Sequence, residues 1–187
     1  MIVTKEICKQ LTDTEIVRKS LADIDYFSCL FDRYEPKFLH YIKRIALVSQ
    51  EEAEDILQDA FIKIWRNLND FDESLKLSSW LYRIVHNETI SHWRKEKAYG
   101  KDAQVTFGDH LLEFIVDDYE TEEDQEVKKA FTQQILELLP LKYRDILVLK
   151  FLEGMSYDEI SDILKIPEGT VATRMNRAKK AFLKMAK

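Results

Sequence analysis

The segment Ser156 to Lys180, SYDEISDILKIPEGTVATRMNRAKK, carries side chains suited to contacting a nucleic acid. Arg174, Arg177 and Lys180 can meet phosphates, while Thr173, Asn176 and Arg177 can reach base edges. At helical spacing, Val171, Met175, Ala178 and Phe182 share one side, and Arg174, Arg177, Lys180 and Lys184 share the other. A helix with a dry face and a basic face, entered through a tight turn, suits insertion into a major groove. The turn is Lys165-Ile166-Pro167, and Gly169-Thr170-Val171 opens the second helix. Ser156 and Glu159 have the spacing of a capping box for the first helix, whose buried stripe is Ile160, Ile163 and Leu164. Ser161 and Lys165 occupy positions where such motifs usually carry Ala and Gly. Lys165 is therefore expected in a left-handed conformation, at a cost of roughly 1 kcal/mol.

Enzymatic chemistry has little to work with. His86 and His92 are six residues apart and off-face on a helix, which makes them poor joint metal ligands. His40 and His110 have no obvious partner set, and no glycine-rich phosphate loop is present. No catalytic group, metal or cofactor is expected. Cys8 and Cys29 are far apart in sequence with no CxxC, so they read as buried thiols in a reducing cytosol, not as a disulfide or zinc site.

The elements that position these residues are predicted to be all helical. The chain has 187 residues, 45% hydrophobic and 33% charged, a globular rather than disordered composition. Only 4 Gly and 3 Pro, with little alternating pattern, favour helices over strands. We expect an all-α fold of two small domains, residues 11–98 and 125–187, joined by an acidic linker over 99–124. In the first domain, Thr12 or Asp13 caps a helix through Ala22, and a longer helix spans Tyr26 to Val48, kinked or broken at Pro36. A third helix runs from about Glu51 to Asn67. Ser78 or Ser79 caps a fourth, reaching about Lys97. The second domain should hold helices near Glu126–Leu139, Lys142–Glu153, Tyr157–Leu164 and Glu168–Met185.

Charge is distributed unevenly. The net charge is −6, which argues against a simple basic coat for nucleic acid but leaves local binding open. From Lys165 to Lys187 there are seven basic residues and one acid, whereas Asp102 to Glu126 holds ten acids and no Lys or Arg. The linker's composition predicts mobility, apart from the apolar patch Leu111, Leu112, Phe114, Ile115 and Val116, which would dock either on a partner or on its own domain. No stretch of about 18 apolar residues exists and Met1 to Gln10 lacks a signal-peptide core, so neither membrane insertion nor export is expected.

Four segments taken in order, LTDTEIVRKSLADIDYFSCLFDRYEPKFLHYI, EEAEDILQDAFIKIW, FDESLKLSSWLYRIVHNETISHWRKEKA and LLPLKYRDILVLKFLEGMSYDEISDILKIPEGTVATRMNRAKKAF, resemble the characteristic regions of extracytoplasmic-function (ECF) sigma factors, group IV of the primary sigma factor family. The resemblance covers about Leu11 to Phe182. It implies a cytoplasmic subunit that directs core RNA polymerase to promoters, binding the clamp coiled coil of the largest subunit and the flap. It also implies an anti-sigma partner, often membrane-anchored.

Residue roles follow from the same resemblance. The EDxxQ helix of the family binds the clamp; here Asp55, Gln58, Asp59 and Ile62 form one ridge that suits a partner presenting Arg and an apolar patch, with Trp65 more often core than contact. The loop Phe71 to Ser79, including Ser78, would hold an extruded base of the −10 element. On the following helix, which Trp80 begins, Arg83, Asn87, Ile90 and Arg94 lie on one stripe; Asn87 would bond a base or phosphate, while Arg83, Arg94 and Lys95 would meet phosphates. Thr170, Thr173, Arg174, Asn176, Arg177 and Lys180 would serve the −35 element as duplex. Ala172 stands where the family often has Arg or Lys, so the promoter sequence does not transfer from relatives. Two other readings stay open: a sigma-like module that sequesters an anti-sigma factor, and a stand-alone repressor or activator, which would need neither the EDxxQ ridge nor WLYRIVHN.

Overall fold

A computed structural model describes residues 3–98 and 131–186. Among these residues every regular element is a helix. They divide into two compact units, which we take in turn.

In the first unit, α1 (Lys5–Gln10) starts at a Thr4 cap and α2 (Asp13–Ala22) at Thr12. Thr12 and Glu15 form a reciprocal capping box: the Thr12 N–H donates to the Glu15 carboxylate at 2.7 Å, and the Glu15 N–H donates to the Thr12 hydroxyl at 3.3 Å. These bonds hold the Glu15 carboxyl below the usual carboxylate range. The long α3 (Phe27–Ala46) is one continuous helix with Pro36 inside it, so the expected break does not occur. Burial explains this: Leu30, Tyr34, Phe38, Tyr41, Ile42 and Ile45 form a stripe that packs on both sides of the proline. Each such burial contributes about 1.5–3 kcal/mol, which offsets the roughly 3 kcal/mol cost of an interior Pro.

A left-handed Leu47 (φ 58°) ends α3, and a Ser49–Glu52 capping box starts α4 (Gln50–Arg66). The last helix of the unit, α5, spans Leu77–Ala98. It begins earlier than expected. Ser78 and Ser79 lie inside its first turn instead of capping it, and the Lys76 carbonyl accepts the first helical bond, from Trp80 N–H at 3.2 Å. Buried Leu77 explains the shift, because it draws the chain into the core one or two residues before the serines. Aromatic rings fill the space between α3, α4 and α5. Phe38 meets Tyr82 edge-on at 5.0 Å and Phe61 at 6.0 Å, and Tyr41 meets Tyr82 at 5.2 Å.

Cys8 and Cys29 are joined by a disulfide, with Cα atoms 5.0 Å apart. This overturns the expectation of free thiols. Sequence separation concealed the pairing; α1 folds back onto α3 and brings the two residues together.

The second unit opens with a helix over 131–138, here α6. Pro140 then precedes α7 (Leu141–Leu147), its carbonyl accepting from Arg144 N–H at 3.1 Å. α7 runs on into a π turn over Val148–Leu152. Gly154 takes a positive φ of 70°, ending that stretch where a side chain would be strained. The remaining helices are α8 (Tyr157–Leu164) and α9 (Glu168–Met185). Ile135, Leu139, Ile146, Leu149, Ile160, Val171 and Met175 make the core. The acidic linker, His110 and the apolar patch at 111–116 lie outside the described residues.

Candidate nucleic-acid interfaces

The pair α8–α9 is assembled by local bonds that the sequence spells out. The Glu159 carboxylate accepts from Ser156 N–H at 2.8 Å and Ser156 hydroxyl at 2.7 Å, and so starts α8. Lys165 adopts the left-handed conformation expected of it, with φ 53°. Ser161, in place of the usual Ala, donates its hydroxyl to the Ile166 carbonyl at 2.6 Å and thereby braces the turn. Pro167 precedes α9 and its carbonyl accepts from Val171 N–H at 3.0 Å. A Cβ added at Gly169 would meet nothing within 4 Å, so the unit's own packing does not require glycine there.

α9 is two-faced. Val171, Met175 and Ala178 are fully buried, with Phe182 half-buried beside them. Thr170, Thr173, Asn176, Arg177 and Lys180 are exposed. The Thr173 hydroxyl donates back to the Gly169 carbonyl at 2.9 Å, which orients it along the helix. Arg174 is half-buried. Its charge acts on Asp145, a buried carboxyl that desolvation pushes up to about 6 despite the Ile146 N–H bond and the Arg174 and Arg144 charges. The sequence reading missed Asp145, because an acid flanked by Arg144 and Ile146 looks like a solvated face.

In the first unit, α5 carries the second candidate surface. Leu81, Val85 and Thr89 are buried, whereas Asn87, Arg94 and Lys95 are exposed and Arg83 and Ile90 half-buried. The loop before α5 has an inward floor and an outward rim. Phe71 and Trp80 pack together at 5.4 Å, both nearly sequestered, and Ser79 is buried with them. Ser78 is half-buried, while Asp72 to Lys76 are exposed. Asp72 accepts from Ser74 N–H at 2.9 Å, and a two-pronged Arg18–Glu73 ion pair ties the rim to α2. The bond from Arg18 lowers the Glu73 carboxyl below its ordinary range. Arg18 and Glu73 are 55 residues apart, so no local spacing pointed to the tie.

On α4, Asp55, Gln58, Asp59 and Ile62 are all exposed, and Ile62 is an apolar residue left 48% open. Trp65 is half-buried, edge-on to Phe27 at 5.2 Å. A third surface was not foreseen: in the second unit, Leu136, Leu147, Phe151, Leu152, Phe182 and Leu183 line an apolar groove of about 340 Å³. Among the described residues no cluster of metal-ligating side chains exists, and no helix is long and apolar enough to cross a membrane.

Two family models match the chain: sigma-70 region 2 over residues 30–99 and sigma-70 region 4 over residues 132–182. The chain is 42% identical to the ECF RNA polymerase sigma factor SigW of Bacillus subtilis over 87% of this chain and 89% of that protein. The chain belongs to the ECF sigma factors. This sigma factor is also 33% identical to the RNA polymerase sigma-H factor of Pseudomonas aeruginosa, over 97% of this chain and 94% of the relative. The sigma-E factor of Escherichia coli K12 is 31% identical over 93% and 94%. The fold resembles that of CnrH, solved in complex with the cytosolic domain of CnrY (TM-score 0.64, 20% identity, 91% of this chain and 94% of that one). It also resembles RpoE of Bartonella quintana, solved with the anti-sigma factor NepR (TM-score 0.57, 24% identity, 82% and 94%). As a sigma factor the chain directs RNA polymerase to promoters, a task of binding. The region 2 match contains the α4 ridge and the α5 stripe, and the region 4 match contains α8 and α9 as far as Phe182.

Proposed function

We propose that the two units divide promoter recognition between them. The first domain, residues 11–98, grips the polymerase clamp through Asp55, Gln58, Asp59 and Ile62. Its Arg83, Asn87, Arg94 and Lys95 line the path of the separated −10 strand. The exposed rim Asp72–Lys76 and Ser78 hold an extruded base over a rigid floor of Phe71 and Trp80. Base capture offsets the few kcal/mol that each unstacked base costs, and no nucleotide hydrolysis is involved. The second domain, residues 125–187, reads the −35 duplex through α9, and the acidic stretch 99–124 links the two.

The observation that carries this reading is the split of α9. Val171, Met175 and Ala178 are fully buried while Thr173, Asn176, Arg177 and Lys180 face outward, leaving a polar, cationic helix face free for a groove. An anti-sigma decoy would need no such face. The apolar groove bounded by Phe151 and Leu183 fits the polymerase flap, which would cover surface that is otherwise costly to expose. An anti-sigma factor competes for these surfaces; the likeness to RpoE of Bartonella quintana, a sigma factor solved with the anti-sigma factor NepR, supports it. The chain acts in the cytoplasm and has no catalytic activity of its own.

Run-off transcription with core polymerase and a promoter library, with and without the chain, tests the proposal. We expect transcripts from a sequence-restricted subset only when the chain is added. The same transcripts without it, or none with it, would refute the promoter-directing role.

A further inference from the structure

We propose that Cys8 and Cys29 are a reversible thiol–disulfide pair, a redox modification site that clamps α1 onto α3 when oxidised and releases it when reduced. The pair belongs to neither the nucleic-acid faces nor the α4 ridge, and the proposal does not rest on their assignment. Four observations carry it. The two Cα atoms lie 5.0 Å apart, within the span a disulfide bridges without backbone movement. The bond joins a helix of six residues to the middle of the unit, across 21 residues of sequence. A helix that short does not persist by itself in water, so its docking decides whether it exists. Among the described residues, a further polar tie is the Arg33 guanidinium on α3, which donates to the carbonyls of Cys8 and Leu11, both at 2.7 Å, and to the Asp13 carboxylate at 2.6 Å.

The two sulfurs are not equivalent. Cys8 is 8% exposed and Cys29 1%, so Cys8 is the outer partner. The chemistry needs an oxidant of the low-molecular-weight disulfide class. The Cys8 thiolate attacks one sulfur of that disulfide and expels one small thiol. The Cys29 thiolate then attacks the Cys8 sulfur and expels the second. Two electrons pass to the small disulfide, and the two cysteine protons end on the two small thiols. The reverse exchange opens the clamp, so the redox state of the compartment sets how much of the chain is clamped.

The test equilibrates the full chain in graded mixtures of reduced and oxidised glutathione. Each sample is quenched with a thiol-alkylating reagent, weighed by mass spectrometry, and compared by hydrogen exchange. We expect one transition between a doubly alkylated and an unalkylated chain, with amides at residues 5–10 exchanging about tenfold or more slowly when oxidised. The Cys8→Ala/Cys29→Ala chain should exchange like the reduced protein in every mixture. If that variant fails to fold, the wild-type chain in excess reductant provides the same comparison. Three results would overturn the proposal: no intramolecular bond in any mixture, a bond that the most reducing mixture leaves intact, or equal exchange at residues 5–10 in both forms.

Discussion

His86 and Asp145 are buried ionisable side chains, one in each unit, and they respond to acid in opposite senses. Desolvation, with the Arg94 charge adding to it, holds the His86 imidazole down at about 4; its Nδ1 lies 2.8 Å from the Tyr41 hydroxyl. Desolvation lifts Asp145 from 3.8 to about 6. Between pH 6.5 and 4 the unfolded chain protonates its histidine while folded His86 stays neutral. The stability linked to His86 is therefore full above 6.5 and is lost as pH falls through 4. For Asp145 the folded state holds the extra proton, so its contribution is full below about 4 and is lost as pH rises through 6. Each contribution is of order 3 kcal/mol. Acidification from pH 7 to 4.5 should loosen the first unit relative to the second, read as segment-resolved hydrogen exchange. His86→Gln should flatten the first trend and Asp145→Asn the second; identical pH trends in both units would contradict the argument. Arg174 and Arg177 also differ. Exposed Arg177 should act through phosphate, so Arg177→Ala should lower affinity for the −35 duplex across sequences and reduce the salt slope by about one. Half-buried Arg174 acts partly through Asp145, so Arg174→Ala should in addition alter the acid profile of the second unit.

Within the elements, the α8–α9 turn is where local preference and the fold disagree. Lys165 sits at φ 53°, a conformation that costs a residue with a Cβ about 1 kcal/mol and costs glycine little. Its ion pair with Asp162, at 3.4 Å and well exposed, returns little. Lys165→Gly should therefore raise the thermal midpoint of the chain by a few degrees, and a drop would show that the lysine stem packs more than its exposure suggests. Most elements were legible beforehand because their signals are local: the cap at Thr12 or Asp13, the Ser156 box, the αL turn, and the alternation of Val171, Met175 and Ala178 with cations. What failed to show was long-range. Cys8–Cys29 and Arg18–Glu73 pair residues that only the folded chain brings together. The continuity of α3 across Pro36 was hidden for the same reason, since a helix buried along its length outweighs a local breaker. The helix start at Leu77, ahead of the expected cap at Ser78 or Ser79, reflects one buried leucine and lies beyond what capping chemistry can resolve.

For the molecule as a whole, charge sets what the chain can do alone. The α4 ridge places Asp55 and Asp59 beside an exposed Ile62, so Asp55→Arg should impair holoenzyme assembly while circular dichroism stays unchanged; normal assembly would remove the ridge from the polymerase interface. The free chain, at net charge −6 with ten acids between Asp102 and Glu126, should bind promoter duplex weakly. Tethered to the same chain as the cations of α9, those acids should compete with phosphate for them at a high effective concentration. On the proposed division of labour, polymerase should relieve this by supplying its own cationic surface and by fixing the spacing of the two reading faces. Replacing Asp117, Asp118, Glu120, Glu122, Glu123 and Asp124 with their amides should therefore raise the free chain's affinity for duplex by about tenfold at low salt, and hardly at all once salt screens charges beyond about 3 Å. In the holoenzyme the same replacement should have a smaller effect, because the competition has already been removed. Tight, sequence-specific binding by the unmodified free chain in ordinary salt would mean that the linker acids do not restrain α9, and that polymerase is not needed to bring the reading faces to DNA.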